Sequence, residues 1–159
     1  MEVLLIRHGE ASWDAKSDME RQLTSRGEVQ VAAARDWLAA EGWQPDQVWV
    51  SPYRRAQQTA DIVSADWRVR RRSIASLSPD ASLNELETLL ETFSGERLIL
   101  VGHNPLLSNA VGQWHQGAPA SYWGLQPASM ALLQAEVIAA GTAELKWLRH
   151  FPNYDHNGR

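Results

Sequence analysis

A chain of 159 residues with 44% hydrophobic and 21% charged residues is long enough to build one globular domain with its own core. The net charge of −4 disfavours nucleic acid as a partner, and the lack of cysteine excludes disulfides, thiolate metal sites and a cysteine nucleophile. No apolar run approaches the roughly 20 residues of a membrane span, and no signal-peptide pattern opens the chain. We therefore expect a single cytoplasmic domain over 1–159.

The hydrophobic pattern predicts strands that alternate with helices. The predicted strands are 3–6, 47–50, 97–101 and a short edge strand over 67–74, and the predicted helices are 25–41, 52–63, 83–94 and 105–116. The predicted helix caps are Ser25 with Glu28 (or Thr24 instead), Ser51 before Pro52, Ser82 with Glu85, and Asn104 before Pro105. A hairpin of 130–137 and 143–148 follows a long loop, and the polar tail over 152–159 is expected to fray.

This order of elements predicts an α/β fold, a three-layer α/β/α sandwich with a mostly parallel sheet and a C-terminal antiparallel hairpin. On the first helix, the expected core face is marked by Val29, Ala33 and Trp37, together with Ala34 and Leu38. Tryptophans on apolar faces are expected in the core, namely Trp37, Trp49, Trp114 and Trp147. Those in loops, Trp13 and Trp123, are candidates to line the mouth of a cleft.

Four arginines surround Val69 in the predicted edge strand, at positions 68, 70, 71 and 72. One interpretation is a patch that binds anions or nucleic acid. The other is an edge strand whose solvated charges discourage pairing with a second chain. Charge runs are usually solvated, and the chain is negative overall, so we favour the edge strand.

Cationic and imidazole side chains follow three of the predicted strands at the point where each strand ends. Arg7 and His8 follow the first strand, Arg54 and Arg55 the second, and His103 the last parallel one. The carboxyl ends of parallel strands meet at one edge of a sheet, where α/β proteins bind their ligands. Arginine forks and the free N–H groups of a helix N-terminus both suit phosphate oxygens. The pattern therefore predicts a site for a phosphoryl group.

A nucleophile for that phosphoryl group can be sought by elimination. The chain has no cysteine, no Asp-x-Asp run for an aspartyl phosphate, no Gly-x-x-x-x-Gly-Lys loop, and no histidine spacing typical of a metal site. A neutral histidine remains, and a positioned imidazole is a competent nucleophile. The same crevice could instead hold an anionic partner without catalysis, although such a binding module would need only the arginines.

Four motifs, in their order along the chain, resemble those of the histidine phosphatase superfamily, also called phosphoglycerate-mutase-like. They are Arg7-His8-Gly9, Leu23-Thr24-x-x-Gly27, Ser51-Pro52-x-x-Arg55-Ala56-x-x-Thr59 and Gly102-His103-Asn104. Each motif alone is weak evidence, whereas all four in order over residues 1–115 are strong evidence. The short chain without large insertions, together with Arg21, most resembles the small bacterial phosphohistidine phosphatases of the SixA type.

The resemblance implies a role for each matching residue. His8 would be the nucleophile that becomes phosphorylated, and Arg7, Arg55 and His103 would bind the phosphoryl oxygens. Arg55 is preferred to Arg54 because it stands directly before the Ala-x-x-Thr part of its motif. One ring nitrogen of His8 must stay unprotonated, so we expect the other to donate to a backbone carbonyl. The other implied contacts are Gly9 close to the bound group, Arg21 at the entrance, Asn104 as a further donor, and Glu10 behind them.

One departure from the wider superfamily bears on the substrate. Many of its esterases and mutases carry a carboxylic acid after the second arginine, and an alkoxide leaving group needs such a proton donor. The candidates here, Asp80, Glu85 and Glu87, match no such motif and are interpreted as helix-capping or solvent-facing. This absence favours phosphohistidine, whose imidazole leaves easily, over alkyl phosphate esters.

The predicted function is a metal-independent phosphatase that removes phosphate from phosphohistidine in a protein through a phosphohistidine enzyme intermediate. The alternative is a small-molecule phosphomonoesterase or mutase at the same site. We expect a monomer with no cofactor, metal, nucleic acid or membrane partner, acting on a protein such as a histidine phosphotransfer domain. His115, His150 and His156 match no motif and are expected at the surface or in the tail.

Overall fold

One six-stranded sheet lies at the centre of the molecule in a computed structural model that describes residues 1–120 and 123–155. The strands are β1 (Glu2–Arg7), β2 (Gln47–Val50), β3 (Arg70–Ser73), β4 (Arg97–Gly102), β5 (Met130–Gln134) and β6 (Glu144–Arg149). Their order is β3-β2-β4-β1-β5-β6. The first four are parallel to one another, β5 pairs antiparallel with β1, and β6 pairs antiparallel with β5. The predicted α/β fold with a C-terminal hairpin is confirmed.

Four helices cover the two faces of the sheet, and 3₁₀ turns lie at Asp18–Glu20 and Ala75–Leu77. The helices are α1 (Ser25–Glu41), α2 (Arg54–Val63), α3 (Leu83–Leu90) and α4 (Leu106–Gln116). Alternate residues of a strand face opposite sides, so the even residues of β1 pack with α1 and α2 and the odd ones with α3 and α4. Among the described residues, no helix combines the length and apolarity needed to cross a membrane.

The first helix begins with the alternative predicted cap, and its predicted core face is confirmed only in part. Thr24 is the cap, because its Oγ1 accepts a hydrogen bond from Gly27 N at 3.0 Å. Val29 is 60% exposed, and Ala33 and Trp37 are only half-buried, so this part of the predicted face is wrong. Ala34 and Leu38 are fully buried, as predicted. The buried residues are Gly27, Gln30, Val31, Ala34 and Leu38. The buried face of α1 includes a glycine and a glutamine. A search for apolar periodicity does not count these residue types, so it finds only part of the buried face.

The second and fourth helices begin later than predicted, by two residues and one residue respectively. Before α2, Ser51 Oγ accepts a hydrogen bond from Tyr53 N at 3.2 Å and holds the chain in a turn, so the helix starts at Arg54. The third helix has its predicted cap, since Ser82 Oγ accepts from Glu85 N at 3.1 Å. These starts matter because the helices carry site residues in their first turns.

The arginine-rich segment forms β3 at the edge of the sheet, as favoured, and pairs with β2 alone. Arg71 binds the carboxylate of Asp61 at 2.6 Å, and Arg72 lies over the ring of Trp49 at 5.2 Å. Both charges therefore have partners within the chain, which supports an edge strand over a nucleic-acid patch.

The tail differs from the expectation of a frayed end. Tyr154 is 3% exposed, and its hydroxyl donates to the Ala128 carbonyl at 2.8 Å. An aromatic ring brings enough apolar area to dock the segment against the core beside α1. The rest of the predicted tail, residues 156–159 with His156, lies outside the described residues.

Tryptophans occupy two kinds of environment. Trp49 and Trp114 are fully buried, as predicted. Trp37 and Trp147 are only half-buried, and they pack edge to face with ring centroids 4.9 Å apart. In the loops, Trp13 is 82% exposed.

Candidate active site

The carboxyl ends of β1, β4 and β2 lie side by side, and this brings the predicted catalytic residues together. The rings of His8, after β1, and His103, after β4, have centroids 5.1 Å apart. From the first turn of α2, Arg55 places its Nε 3.3 Å from His8 Nε2. Arg55 is 4% exposed, whereas the neighbouring Arg54 is exposed to solvent. The structure thus brings Arg55, and not Arg54, to His8.

The imidazole of His8 is held in one tautomer. Its Nδ1 lies 2.6 Å from the Gly9 carbonyl oxygen and donates to it, while Nε2 accepts from Arg55 Nε. Burial, together with the nearby arginine charges, lowers the pKa of His8 to about 3 against the opposing effect of the Gly9 hydrogen bond. The ring is therefore neutral near pH 7, with its lone pair on Nε2.

The loop that carries His8 is pressed against α1. A Cβ on Gly9 would lie 2.7 Å from the Gly27 carbonyl oxygen and 2.9 Å from Val31 Cγ2, and a Cβ on Gly27 would collide with the Glu10 carbonyl. The Gly9 amide donates to Thr59 Oγ1 at 3.2 Å. Gly9 therefore makes a close approach to the helix, and its expected closeness to a bound group stays a prediction. This contact also gives a structural reason for the Leu-Thr-x-x-Gly and Ala-x-x-Thr motifs.

Arg7 and Asn104 share one acceptor, the carbonyl oxygen of Leu125. Arg7 Nη1 donates to it at 2.9 Å and Asn104 Nδ2 at 2.7 Å. The Oδ1 of Asn104 accepts from Ser108 Oγ at 2.9 Å. One N–H of the Asn104 amide thus holds the loop at Leu125, and its expected role as a further donor to the bound group stays a prediction. No side-chain signal marks Leu125, because only its backbone takes part.

His103 has a partner that the sequence pattern identified only as a helix cap. Its Nε2 lies 2.7 Å from Ser51 Oγ, and both residues are buried. That hydroxyl also accepts from Tyr53 N, and we infer that it donates its own proton to His103 Nε2, which places the ring proton on Nδ1. Burial lowers the pKa of His103 to about 2, so the ring is neutral.

Two buried donors at this site have no hydrogen-bond partner among the described residues: Arg7 Nε and His103 Nδ1. Buried donors in folded proteins are almost always paired. Burial lowers the pKa of both Arg7 and Arg55, and the Arg55 charge adds to this effect at Arg7. A tetrahedral oxyanion would supply both the missing acceptors and the missing negative charge.

A carboxylate that the sequence did not single out lies at the mouth of the site. The backbone carbonyl of Asp18 accepts a hydrogen bond from Arg55 Nη1 at 2.7 Å. In the Asp18 carboxylate, Oδ2 lies 3.3 Å from Arg55 Nη2 and Oδ1 lies 3.2 Å from Arg21 Nη1. Arg21 also donates to the carbonyls of Ser12 at 2.9 Å and Ala11 at 3.4 Å. Arg21 is therefore at the entrance, as expected, but it braces the loop between β1 and α1. Asp18 belongs to no motif, and its position in a polar loop was the only available signal.

The acidic side chains considered from the sequence as proton donors lie in other environments. Glu87 accepts from Trp114 Nε1 at 3.1 Å, and Asp80 and Glu85 are exposed. None of the three contacts His8 in the described part of the chain. Within residues 1–120 and 123–155, no group of three or more histidine or acidic side chains is arranged to hold a metal ion.

Three further residues lie differently from expectation. Glu10, expected behind the site, pairs with Arg26 at 3.4 Å on the surface. His115 and His150 are half-buried instead of exposed, and the His115 Nδ1 lies 2.9 Å from a backbone carbonyl. These residues serve local structure.

Comparison with protein families and curated proteins agrees with this geometry. Residues 3–88 match the model of the histidine phosphatase superfamily (branch 1). Phosphohistidine phosphatase SixA of Escherichia coli (strain K12) is 28% identical over 118 residues, which cover 71% of this chain and 73% of that protein. An uncharacterized protein of Picosynechococcus sp. (strain PCC 7002) is 30% identical, with 96% of this chain and 92% of that protein covered.

Solved structures show the same architecture. The structure of the protein histidine phosphatase SixA complexed with tungstate superposes with a TM-score of 0.80 at 25% identity, covering 94% of this chain and 97% of that one. An alpha-ribazole phosphatase from Shigella flexneri, at 18% identity and a TM-score of 0.68, shares the fold.

Proposed function

This chain belongs to the histidine phosphatase superfamily, and from that premise we propose that it dephosphorylates phosphohistidine in a protein, without a metal ion. It is a phosphatase, and relatives along most of its length are named phosphohistidine phosphatases. The observation that carries the proposal is the 3.3 Å contact between His8 Nε2 and Arg55 Nε. This contact supports the proposal because a neutral, buried nucleophile, His8, would then lie beside the cation of Arg55 that holds the phosphoryl group.

In the first step, Arg7, Arg55 and the Nδ1–H of His103 bind the phosphoryl oxygens, where the negative charge of the transition state accumulates. His8 Nε2 forms a bond to phosphorus, the bond from phosphorus to the substrate nitrogen breaks, and its electron pair stays on the substrate imidazole. The Gly9 carbonyl, accepting from Nδ1–H, stabilises the positive charge that develops on His8. In the second step, water attacks phosphorus and the bond from phosphorus to His8 Nε2 breaks. Its electron pair returns to Nε2 and the water protons leave with the phosphate, which restores neutral His8.

The choice of phosphohistidine rests on proton donation. Partial burial alone would raise the pKa of Asp18, but its hydrogen bonds and ion pairs with Arg21 and Arg55 outweigh this effect and hold the pKa below its usual range. Asp18 is therefore ionised near pH 7 and is a poor proton donor to an alkoxide. General acid assistance is worth roughly 10²–10⁴-fold, and phosphohistidine needs it far less than an alkyl ester does.

The test is a series of kcat/KM measurements on a phosphorylated histidine phosphotransfer domain, an aryl phosphate and phosphoserine, each with and without a chelator. We expect the phosphohistidine protein to exceed phosphoserine by at least about a hundredfold, with the aryl ester between them. The chelator should change none of the rates, because the arginines and His103 supply the stabilising charge and donors. Equal rates on phosphoserine would instead support a small-molecule phosphomonoesterase.

A further inference from the structure

We propose that Asp18 is a specificity-determining residue, which accepts a hydrogen bond from the outer ring N–H of the substrate imidazole and so selects phosphohistidine over phosphate esters. This inference rests on the function proposed above. It assigns the recognition of the leaving group to a residue outside the four sequence motifs.

The guanidinium group of Arg55 contacts both His8 and Asp18, and this places the Asp18 carboxylate close to the nucleophile. Arg55 contacts His8 Nε2 through its Nε and Asp18 Oδ2 through its Nη2, each at 3.3 Å. His8 is 7% exposed, whereas the Asp18 side chain is 54% exposed. A protein substrate reaches the site from the solvent side, and in an in-line displacement the leaving group lies opposite the nucleophile. The leaving imidazole therefore lies on the side where Asp18 stands.

The carboxylate has two oxygens with different partners. Oδ1 is held by Arg21 Nη1 at 3.2 Å, and Arg21 is itself anchored on the Ser12 carbonyl at 2.9 Å. Oδ2 contacts Arg55, whose nitrogens a phosphoryl group would take over. Substrate binding thus releases Oδ2 as an acceptor while Arg21 keeps the carboxylate in place.

The leaving group of phosphohistidine carries a donor that the released Asp18 Oδ2 can accept from. A protonated phosphohistidine ring carries an N–H on the nitrogen that is not bonded to phosphorus. When the phosphorus–nitrogen bond breaks, the electron pair neutralises the ring, which leaves as imidazole with that N–H intact. A carboxylate at the outer N–H favours the protonated ring, the form that departs. An alkyl ester offers no such N–H, so its leaving group cannot form this hydrogen bond with Asp18.

The test uses two small substrates, phosphoimidazole and its N-methyl derivative, at a pH where both rings are cationic. The methyl group removes the outer N–H and keeps the charge. Each kcat/KM is divided by the rate at which the same compound phosphorylates free imidazole in solution. We expect wild type to prefer phosphoimidazole by roughly 10- to 100-fold, the usual size of a hydrogen bond to a charged group.

Asp18→Ala should remove most of this preference. The matched control is Glu20→Ala, which deletes a carboxylate from the same 3₁₀ turn, where Glu20 bonds to Ser17 Oγ at 3.0 Å. This control should keep the wild-type preference. Because each measurement is a ratio, a general change in activity caused by movement of the loop cancels.

The outcomes separate the two proposals. A wild-type preference near one, or an undiminished preference in Asp18→Ala, would overturn the role of Asp18 and leave the proposed function standing. Wild type that hydrolyses phosphate esters but neither imidazole compound would overturn the proposed function, and this inference with it.

Discussion

The guanidinium of Arg55 donates to His8 at 3.3 Å, while Arg54 on the same turn of α2 is exposed. Successive helix residues point about 100° apart, so only one of the two can face His8. We expect Arg55→Ala to raise the barrier by about 3 kcal/mol, roughly a hundredfold in kcat/KM, because it loses a contact to the transition state. Arg54→Ala is the matched control and should stay within about tenfold of wild type. A larger loss of kcat/KM in Arg54→Ala than in Arg55→Ala would show that Arg54, and not Arg55, faces the phosphoryl group.

His8 is the expected site of the covalent intermediate. His8→Ala should fold and show no turnover, because it removes the ring nitrogen that lies 3.3 Å from Arg55 Nε. Wild type quenched without acid during turnover should carry phosphate on His8, as measured by mass spectrometry of peptides. His115→Ala, which removes a half-buried ring bonded to a backbone carbonyl, should retain activity. Activity of His8→Ala within tenfold of wild type would contradict the mechanism.

Ser51 should act through the tautomer of His103. Ser51→Ala removes the hydroxyl 2.7 Å from His103 Nε2, so the ring proton is no longer directed to Nδ1. We expect kcat to fall by at least about tenfold, since the site loses an aligned donor to the phosphoryl group. Nitrogen-15 NMR should show protonated Nδ1 in wild type and a mixture in Ser51→Ala. Ser51→Thr, which keeps the hydroxyl, should restore the wild-type spectrum; an unchanged tautomer in Ser51→Ala would refute this role.

Stability should fall in acid because both site histidines are buried and neutral. Burial lowers the pKa of His8 to about 3 and of His103 to about 2, whereas in the unfolded chain both take up protons below about pH 6.5. Between these values the unfolded state binds more protons, so stability is lost as pH falls from 6.5 toward 3. Each histidine contributes roughly 1 kcal/mol per pH unit. Urea unfolding at pH 7, 6 and 5 should show a shallower dependence in His103→Gln than in wild type.

Gly27→Ala should be destabilising, although alanine is normally the better helix former. A Cβ at this position would collide with the Glu10 carbonyl, on the loop that carries His8. We expect a loss on the order of 1–3 kcal/mol from overpacking, together with reduced kcat. Gly102→Ala is the control for stability, because its Cβ would meet its nearest neighbour at 3.4 Å, an ordinary contact. Stabilisation by Gly27→Ala, measured by urea unfolding, would contradict the close packing of the loop.

The sequence by itself determined the order of the elements and the main members of the site. Apolar runs predict β1, β2 and β4, and so place His8, Arg55 and His103 after the ends of strands. The strand order β2-β4-β1 in the structure then brings the three residues together. The motif order selected Arg55 over its neighbour. These are local signals, readable from side-chain type and spacing.

Only the tertiary structure decided which groups support those residues. The Leu125 carbonyl that receives Arg7 is a backbone atom, and any residue type would present the same oxygen. Asp18 reaches Arg55 across 37 positions of sequence, and Ser51 reaches His103 across 52. Such contacts depend on how separate segments pack, and neither periodicity nor a motif within one segment carries that information.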